Sequence, residues 1–198
     1  MPLFRPARRL AGLFLAWLLL GWRCAAAEVP VELLVGPCAA CHGRTGVGAA
    51  PAVPNIAGQS AEYLRVMLRD FADEERVGSV MGGIARGYSA AERAALADHF
   101  SRLPRGSPKQ AVDEQRAARG RRVHEANCER CHKDGGRRFE YESTAGPVLA
   151  GQWLDYLAQS IQQFLVWSRQ TPSEMGVKLL SLESGDIEAL AHFYASQR

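Results

Sequence analysis

The chain is 198 residues long, with 24 Lys and Arg against 21 Asp and Glu and a formal charge of +3. Four of its arginines, Arg5, Arg8, Arg9 and Arg23, lie in the first 27 residues, which hold no acid, so the remaining 171 residues carry 20 basic against 21 acidic side chains. A net charge near −1 excludes the basic footprint of a nucleic-acid binder, and no phosphate loop, catalytic triad or dinucleotide fingerprint is visible.

The N-terminal segment reads as an address rather than as fold. Three arginines precede an apolar run from Leu10 to Trp22, and Ala25, Ala26 and Ala27 supply a small-residue cleavage site. That is the layout of a secretory signal peptide. The rival, a retained anchor, needs about 20 apolar residues to span a bilayer, and this run is shorter. Residues 1–27 are therefore expected to be removed on export to the periplasm, with no stable membrane insertion afterwards. Cys24 leaves with them, and four of the five cysteines remain.

Taken in order, the rest of the chain passes twice through one pattern. CAACH (38–42) is followed by a Gly- and Pro-rich stretch, 43–57, that does not alternate like a strand. Leu64, Leu68 and Phe71 recur at helix spacing within 60–73, and Ser89 and Glu92 form a capping box that opens a helix over 90–103. PRGSPKQAV (104–112) reads as a linker. A helix over 113–131 runs into CERCH (128–132), and a second Gly- and Pro-rich stretch fills 133–150. Leu157, Ile161, Phe164 and Leu165 repeat the apolar stripe. Ser184 is expected to cap a last helix over 185–196, with Asp186 in its first turn. PNIAGQSAEYLRVMLRDF (54–71) aligns with PVLAGQWLDYLAQSIQQF (147–164) at an offset of 93, ALADHF (95–100) with ALAHFY (189–194) at 94, and the two CxxCH motifs at 90. The expectation is an all-α protein of two tandem domains, 28–103 and 113–198, joined by the linker 104–112. Domains of about 80 residues with such long loops usually need a metal or a covalent cofactor as a staple.

Two cysteines at i and i+3 on a helical turn point the same way, so both can bond to one flat molecule. In c-type attachment the thiols form thioethers with haem vinyl groups, and the adjacent histidine ligates the iron. Exported thiols would otherwise oxidise. Two alternatives compete. One is a single zinc site made of Cys38, Cys41, Cys128 and Cys131, which leaves His42 and His132 without a role; the other is a pair of redox disulfides. Two CxxCH motifs in register with a repeat favour two covalently bound haem c groups, one per domain. Cys38 and Cys41 would attach the first and His42 would ligate it; Cys128, Cys131 and His132 would do the same for the second.

One axial position per iron is left. Met81 and Met175 stand 94 residues apart, each followed by glycine and each between the middle and last helices of its half. Their register makes them the expected sixth ligands, with loop methionines packed on apolar surface as the alternative. Met67, inside 60–73, reads as core packing. A thioether ligand favours Fe(II) and raises the potential. A closed His/Met site has no place for substrate, so electron transfer is expected, not catalysis, and no catalytic residue is assigned. The Pro54 and Pro147 carbonyls are candidates to orient the histidines. Gln59, Tyr63, Gln152, Trp153 and Tyr156 read either as contacts to haem propionates or the neighbouring haem, or as core and interface residues. His99, His124 and His192 have no counterpart in the other half and read as surface or packing residues.

With these motifs the chain resembles the diheme class I cytochromes c. It most resembles the cytochrome subunit of flavocytochrome c sulfide dehydrogenase, through VMGGIARGYS (80–89), CERCHKDGG (128–136), LAGQWLDYL (149–157) and HFYASQR (192–198). The resemblance implies two cytochrome c folds related by a pseudo-twofold axis with their haems close together. Its ligand roles fall on His42, Met81, His132 and Met175, and its attachment roles on the four cysteines. It also implies a sulfide-oxidising flavoprotein partner in a heterodimer, FAD being carried by that partner alone. Electrons would pass from the flavin through both haems to a soluble cytochrome c. The alternative is a free diheme shuttle to a terminal oxidase, as in the related c-four cytochromes. A diheme peroxidase, which needs an iron that can open, is a third reading.

Overall fold

The computed structural model describes residues 29–76, 79–141, 145–166 and 169–197. The expected signal peptide lies outside them. Among the described residues, no helix is long and apolar enough to cross a membrane. The architecture is all-α, in two halves. The first holds α1 (Val31–Leu34), α2 (Gly36–His42), α3 (Ala61–Ala72), α4 (Ser79–Arg86) and α5 (Ala90–Arg102). The second holds α6 (Glu114–Asn127), α7 (Leu154–Leu165), α8 (Ser173–Leu180) and α9 (Asp186–Ser196).

Local chemistry sets these boundaries. The Ser60 hydroxyl accepts from the Tyr63 N–H at 3.1 Å and starts α3. Ser89 and Glu92 close the capping box of α5 with bonds of 3.2 and 2.7 Å. Asp113 caps α6 by accepting from the Arg116 N–H at 2.9 Å. This helix is shorter than the 113–131 expected. It ends at Asn127 because the chain turns at the first cysteine, where the N–H groups of Cys131 and His132 both donate to the Cys128 carbonyl. The cap of α9 also differs: Gly185, with φ 83°, takes the place expected for Ser184. The Asp186 carboxylate folds back to accept from the Glu183 N–H at 2.9 Å and pairs with Arg119 at 2.7 Å. The loop 133–150 contains two features not expected there: a single helical turn, Lys133–Gly136, and a two-residue strand, Arg138–Phe139, bridged to Lys133 and His132.

Each half has its own small core. In the first, α3 packs on α4 and α5, and α1 on α5, around Leu34, Tyr63, Leu64, Leu96, Ala97 and Phe100. In the second, α9 lies along α6 and against α7, around Leu157, Leu190, Ala191, Phe193, Tyr194 and Ala195. Gly120 makes the crossing of α6 and α9 this close, since a Cβ there would sit 2.0 Å from the Ala189 carbonyl oxygen. The loops repeat as well. The Gly46 carbonyl accepts from Ile56 and Ala57 at 2.8 and 3.1 Å, and the Gly136 carbonyl accepts from Leu149 and Ala150 at the same distances. Gly46 and Gly136 hold φ of 74° and 84°, which glycine adopts without strain.

The halves are joined by a reciprocal exchange. Gln152 Oε1 accepts from the Asn55 N–H at 2.8 Å, and Gln152 Nε2 donates to the Asn55 carbonyl at 3.0 Å. Gln59 does the same for Val148, with both bonds at 2.8 Å. Asn55 and Val148 are themselves 93 residues apart, as are the two glutamines, so the contacts obey the repeat. The linking residues are held too. Arg105 donates to the Ala150 carbonyl at 2.6 Å, and Gln110 bonds the Gln152 carbonyl and the Leu154 N–H at 2.9 and 2.8 Å. Replacing Gln152 by Ala strands two buried backbone groups of Asn55, at a cost of about 1–3 kcal/mol for each. Urea unfolding of Gln152→Ala is expected to show that loss and a separation of the two halves' transitions, with Gln59→Ala behaving alike; an unchanged single transition would remove the clamps from the account of the junction.

Candidate functional site

A continuous cavity of about 1580 Å³ runs between the halves. Every residue singled out for attachment or ligation lines it: Cys38, Cys41, His42 and Met81 from the first half, and Cys128, Cys131, His132 and Met175 from the second. The two methionines sit on the short helices α4 and α8 rather than in loops, and both are half-buried. The four cysteines are unpaired thiols. Among the described residues no three His, Cys, Asp or Glu side chains converge as a metal-binding group.

The two histidines are buried. Nδ1 of His42 lies 2.8 Å from the Pro54 carbonyl, the contact expected of an orienting group. Burial lowers the His42 pKa, against that carbonyl. His132 is lowered further, to about 4, by burial and by the nearby His124, while the Pro147 carbonyl works in the other direction. Its Nδ1 nevertheless lacks a bond of normal hydrogen-bond geometry. Both rings are thus held neutral at pH 7, the form that binds a metal. Burial also pushes the Cys38 and Cys128 thiols up. The Tyr88 and Tyr194 hydroxyls pull the other way.

Several residues have roles that the sequence left open or hid. Gln59 and Gln152 are the interdomain clamps described above. Trp153 donates its indole N–H across the junction to the Gly48 carbonyl at 3.0 Å. Tyr63 and Tyr156 meet a pair of arginines, Arg76 and Arg169, that sequence reasoning missed. Their backbones form an antiparallel bridge between the halves. Arg76 stacks over Phe71 at 4.5 Å and donates to Tyr156 Oη at 3.4 Å. Arg169 stacks over Phe164 at 4.3 Å and donates to Tyr63 Oη at 3.2 Å. The repeat offset of 93, shared by both arginines, was the signal available. Met67, read as core packing, lies partly buried against the first core, and its sulfur also accepts from both guanidinium groups, at 3.3 and 3.2 Å. His124 is fully buried: Nδ1 meets Tyr194 Oη at 2.9 Å and Nε2 meets the Glu129 carboxylate. His192 accepts from the Asp113 N–H at 3.0 Å, and His99 packs edge-on against Phe100.

Over 192 residues the chain is 32% identical to a "Thiosulfate dehydrogenase electron acceptor" of Thiomonas intermedia (strain K12), covering 89% of this chain and 85% of that one. The chain belongs to the diheme class I cytochrome c family. As a diheme c-type cytochrome it is an electron-transfer protein, and its two CxxCH pairs are consistent with two covalently attached haem c groups. The family described as "Cytochrome C oxidase, cbb3-type, subunit III" matches residues 115–193 of this cytochrome, within its second half. Reduced recombinant cytochrome c4 from Pseudomonas stutzeri shares the fold, with a TM-score of 0.75 at 24% identity over 85% of this chain and 99% of that one. The "Cytochrome subunit of sulfide dehydrogenase" of Chlorobaculum tepidum is 39% identical, but over 72 residues, 36% of this chain and 64% of that one.

The diheme cytochrome's second half depends on the buried His124 network beside its attachment motif. Tyr194→Phe removes the partner of His124 Nδ1, and its expected cost is about 1–3 kcal/mol. Chemical unfolding of the variant checks this; a loss below about 0.5 kcal/mol, the usual scale of a neutral surface change, would show the bond to be dispensable.

Proposed function

We propose that the chain is an exported diheme shuttle that takes electrons from a dehydrogenase of reduced sulfur compounds and delivers them to a terminal oxidase or a soluble cytochrome c. The observation that carries this reading is the single cavity onto which both CxxCH motifs and both methionines open. Cys38 and Cys41 would attach one haem c, and Cys128 and Cys131 the other. His42 and Met81 would ligate the iron of the first, and His132 and Met175 that of the second. Bound there, the two groups supply one-electron couples. Residues of the chain tune and orient them. The Pro54 carbonyl fixes the His42 ring through Nδ1 and leaves Nε2 for the metal. Ile56, Leu68, Leu157 and Ile161 give the cavity apolar walls that exclude water and disfavour added charge. Export through the signal peptide 1–27 places this chemistry in the periplasm.

A free shuttle is better supported than a flavoprotein-bound subunit. A match that spans most of both chains is to a protein named an electron acceptor. The sulfide dehydrogenase likeness covers about a third of this chain and supports the second reading, a heterodimer with a FAD-carrying partner.

Protein exported by cells competent in cytochrome maturation is expected to exceed its polypeptide mass by two haem groups, and Cys38→Ala combined with Cys41→Ala to lose one of them. Met81→Ala and Met175→Ala should each abolish the sulfur-to-iron charge-transfer band of one haem and lower its potential. An unmodified mass would overturn the assignment.

Partner choice is tested on protein from the native host. The shuttle should elute as a flavin-free diheme chain that a thiosulfate dehydrogenase reduces at catalytic concentration. A stoichiometric flavin-bearing chain retained through gel filtration would establish the heterodimer instead.

A further inference from the structure

The junction buries positive charge without its counterpart. Arg76 and Arg169 are each 8% exposed, and both line the cavity. They occupy equivalent places in the repeat and share the Met67 sulfur, so the two guanidinium groups are neighbours. Among the described residues, neither forms an ion pair with a carboxylate. The nearby acids are otherwise engaged: Asp70, which acts on Arg76 at longer range, pairs with Arg69 at 2.9 Å, and Glu75 accepts from Gln170. Stacking on Phe71 and Phe164 offsets part of the desolvation of the two cations. The partners of their N–H groups among the described residues, the Met67 sulfur and the two tyrosine hydroxyls, are neutral groups.

The field of this pair is felt nearby. Burial raises the pKa of both tyrosines, but the two guanidinium groups outweigh it at Tyr156, which is pulled down to about 8. At Tyr63 burial wins and the pKa is raised. Positive charge that outweighs burial at a phenol will also favour an ionised carboxylate there.

We infer that Arg76 and Arg169 form a carboxylate-binding site at the domain junction, where they hold a propionate of each of the two haem groups in the cavity. This rests on the haem assignment proposed above. Each arginine reaches the other half through a tyrosine, so the site is shared: removing one cation is expected to affect both redox centres. A guanidinium beside a propionate keeps it ionised and compensates its charge. Without the cation, the ionised carboxylate stabilises Fe(III), and the potential falls at alkaline pH. The carboxylate pKa rises by about one to three pH units. At lower pH the group therefore takes up a proton, and the potential recovers.

The test uses dialysed holoprotein carrying Arg76→Gln, Arg169→Gln, Arg76→Lys or Arg169→Lys, with haem content read by mass and Met ligation by the charge-transfer band. Spectroelectrochemical titration across pH is expected to give, for each Gln variant, two lowered potentials at alkaline pH and a new pH dependence near neutrality. The Lys variants should shift in the same direction by less. If a Gln variant does not accumulate, the Lys variants decide. Potentials and pH profiles equal to wild type, in protein with two haems and intact bands, would overturn the site. Wild-type potentials that follow the concentration of added acetate would assign the pair to a free carboxylate and overturn the propionate role. Wild-type protein without two haems would instead remove the haem assignment and this inference with it.

Discussion

Buried backbone groups must find partners, and at this junction the N–H and carbonyl of Asn55 find theirs in the opposite half, where Gln152 satisfies both. Asn55 is the residue after Pro54, whose carbonyl holds the His42 ring. A side chain of the second half therefore anchors the backbone one residue from the carbonyl that meets a histidine of the first. Gln59 and Val148 make the reverse link toward Pro147 and His132. The functional site is in this sense a property of the pair of halves and not of either one.

The symmetry is real in the backbone and incomplete in the side chains. His42 has its carbonyl partner at 2.8 Å, whereas His132 Nδ1 has none of normal geometry and instead packs its ring on Phe139 at 5.2 Å. The second half adds the long pairing of α6 with α9 and the His124 network, which have no equivalent among the described residues of the first. Six buried side chains make up each core cluster. Cores this small leave a share of the stability to the junction and to what fills the cavity.

Much of this was legible in the sequence because it is local or repeated. The capping box at Ser89 and Glu92, the apolar stripes of α3 and α7 and the duplicated CxxCH motifs all follow from short-range chemistry, and the cavity gathers the eight selected residues. What was hidden depends on distant or conformational facts. Ser184 looked like a cap, but a left-handed residue was needed one step later, and Gly185 met that need. The helix before CERCH ended early because the motif's own turn competes with it. Gln59 and Gln152 were visible as repeated residues, yet nothing local says that an amide will pair with backbone 89 to 97 residues away. His124 lacked a counterpart and so looked incidental, although Tyr194 and Glu129 make it central to its own half.

The segment between the halves offers no slack. Arg105 and Gln110 fasten it to Ala150, Gln152 and Leu154, so it serves as mortar and not as a hinge. Tilting one lobe against the other would break these bonds together with the glutamine clamps, so any such rearrangement carries their combined cost.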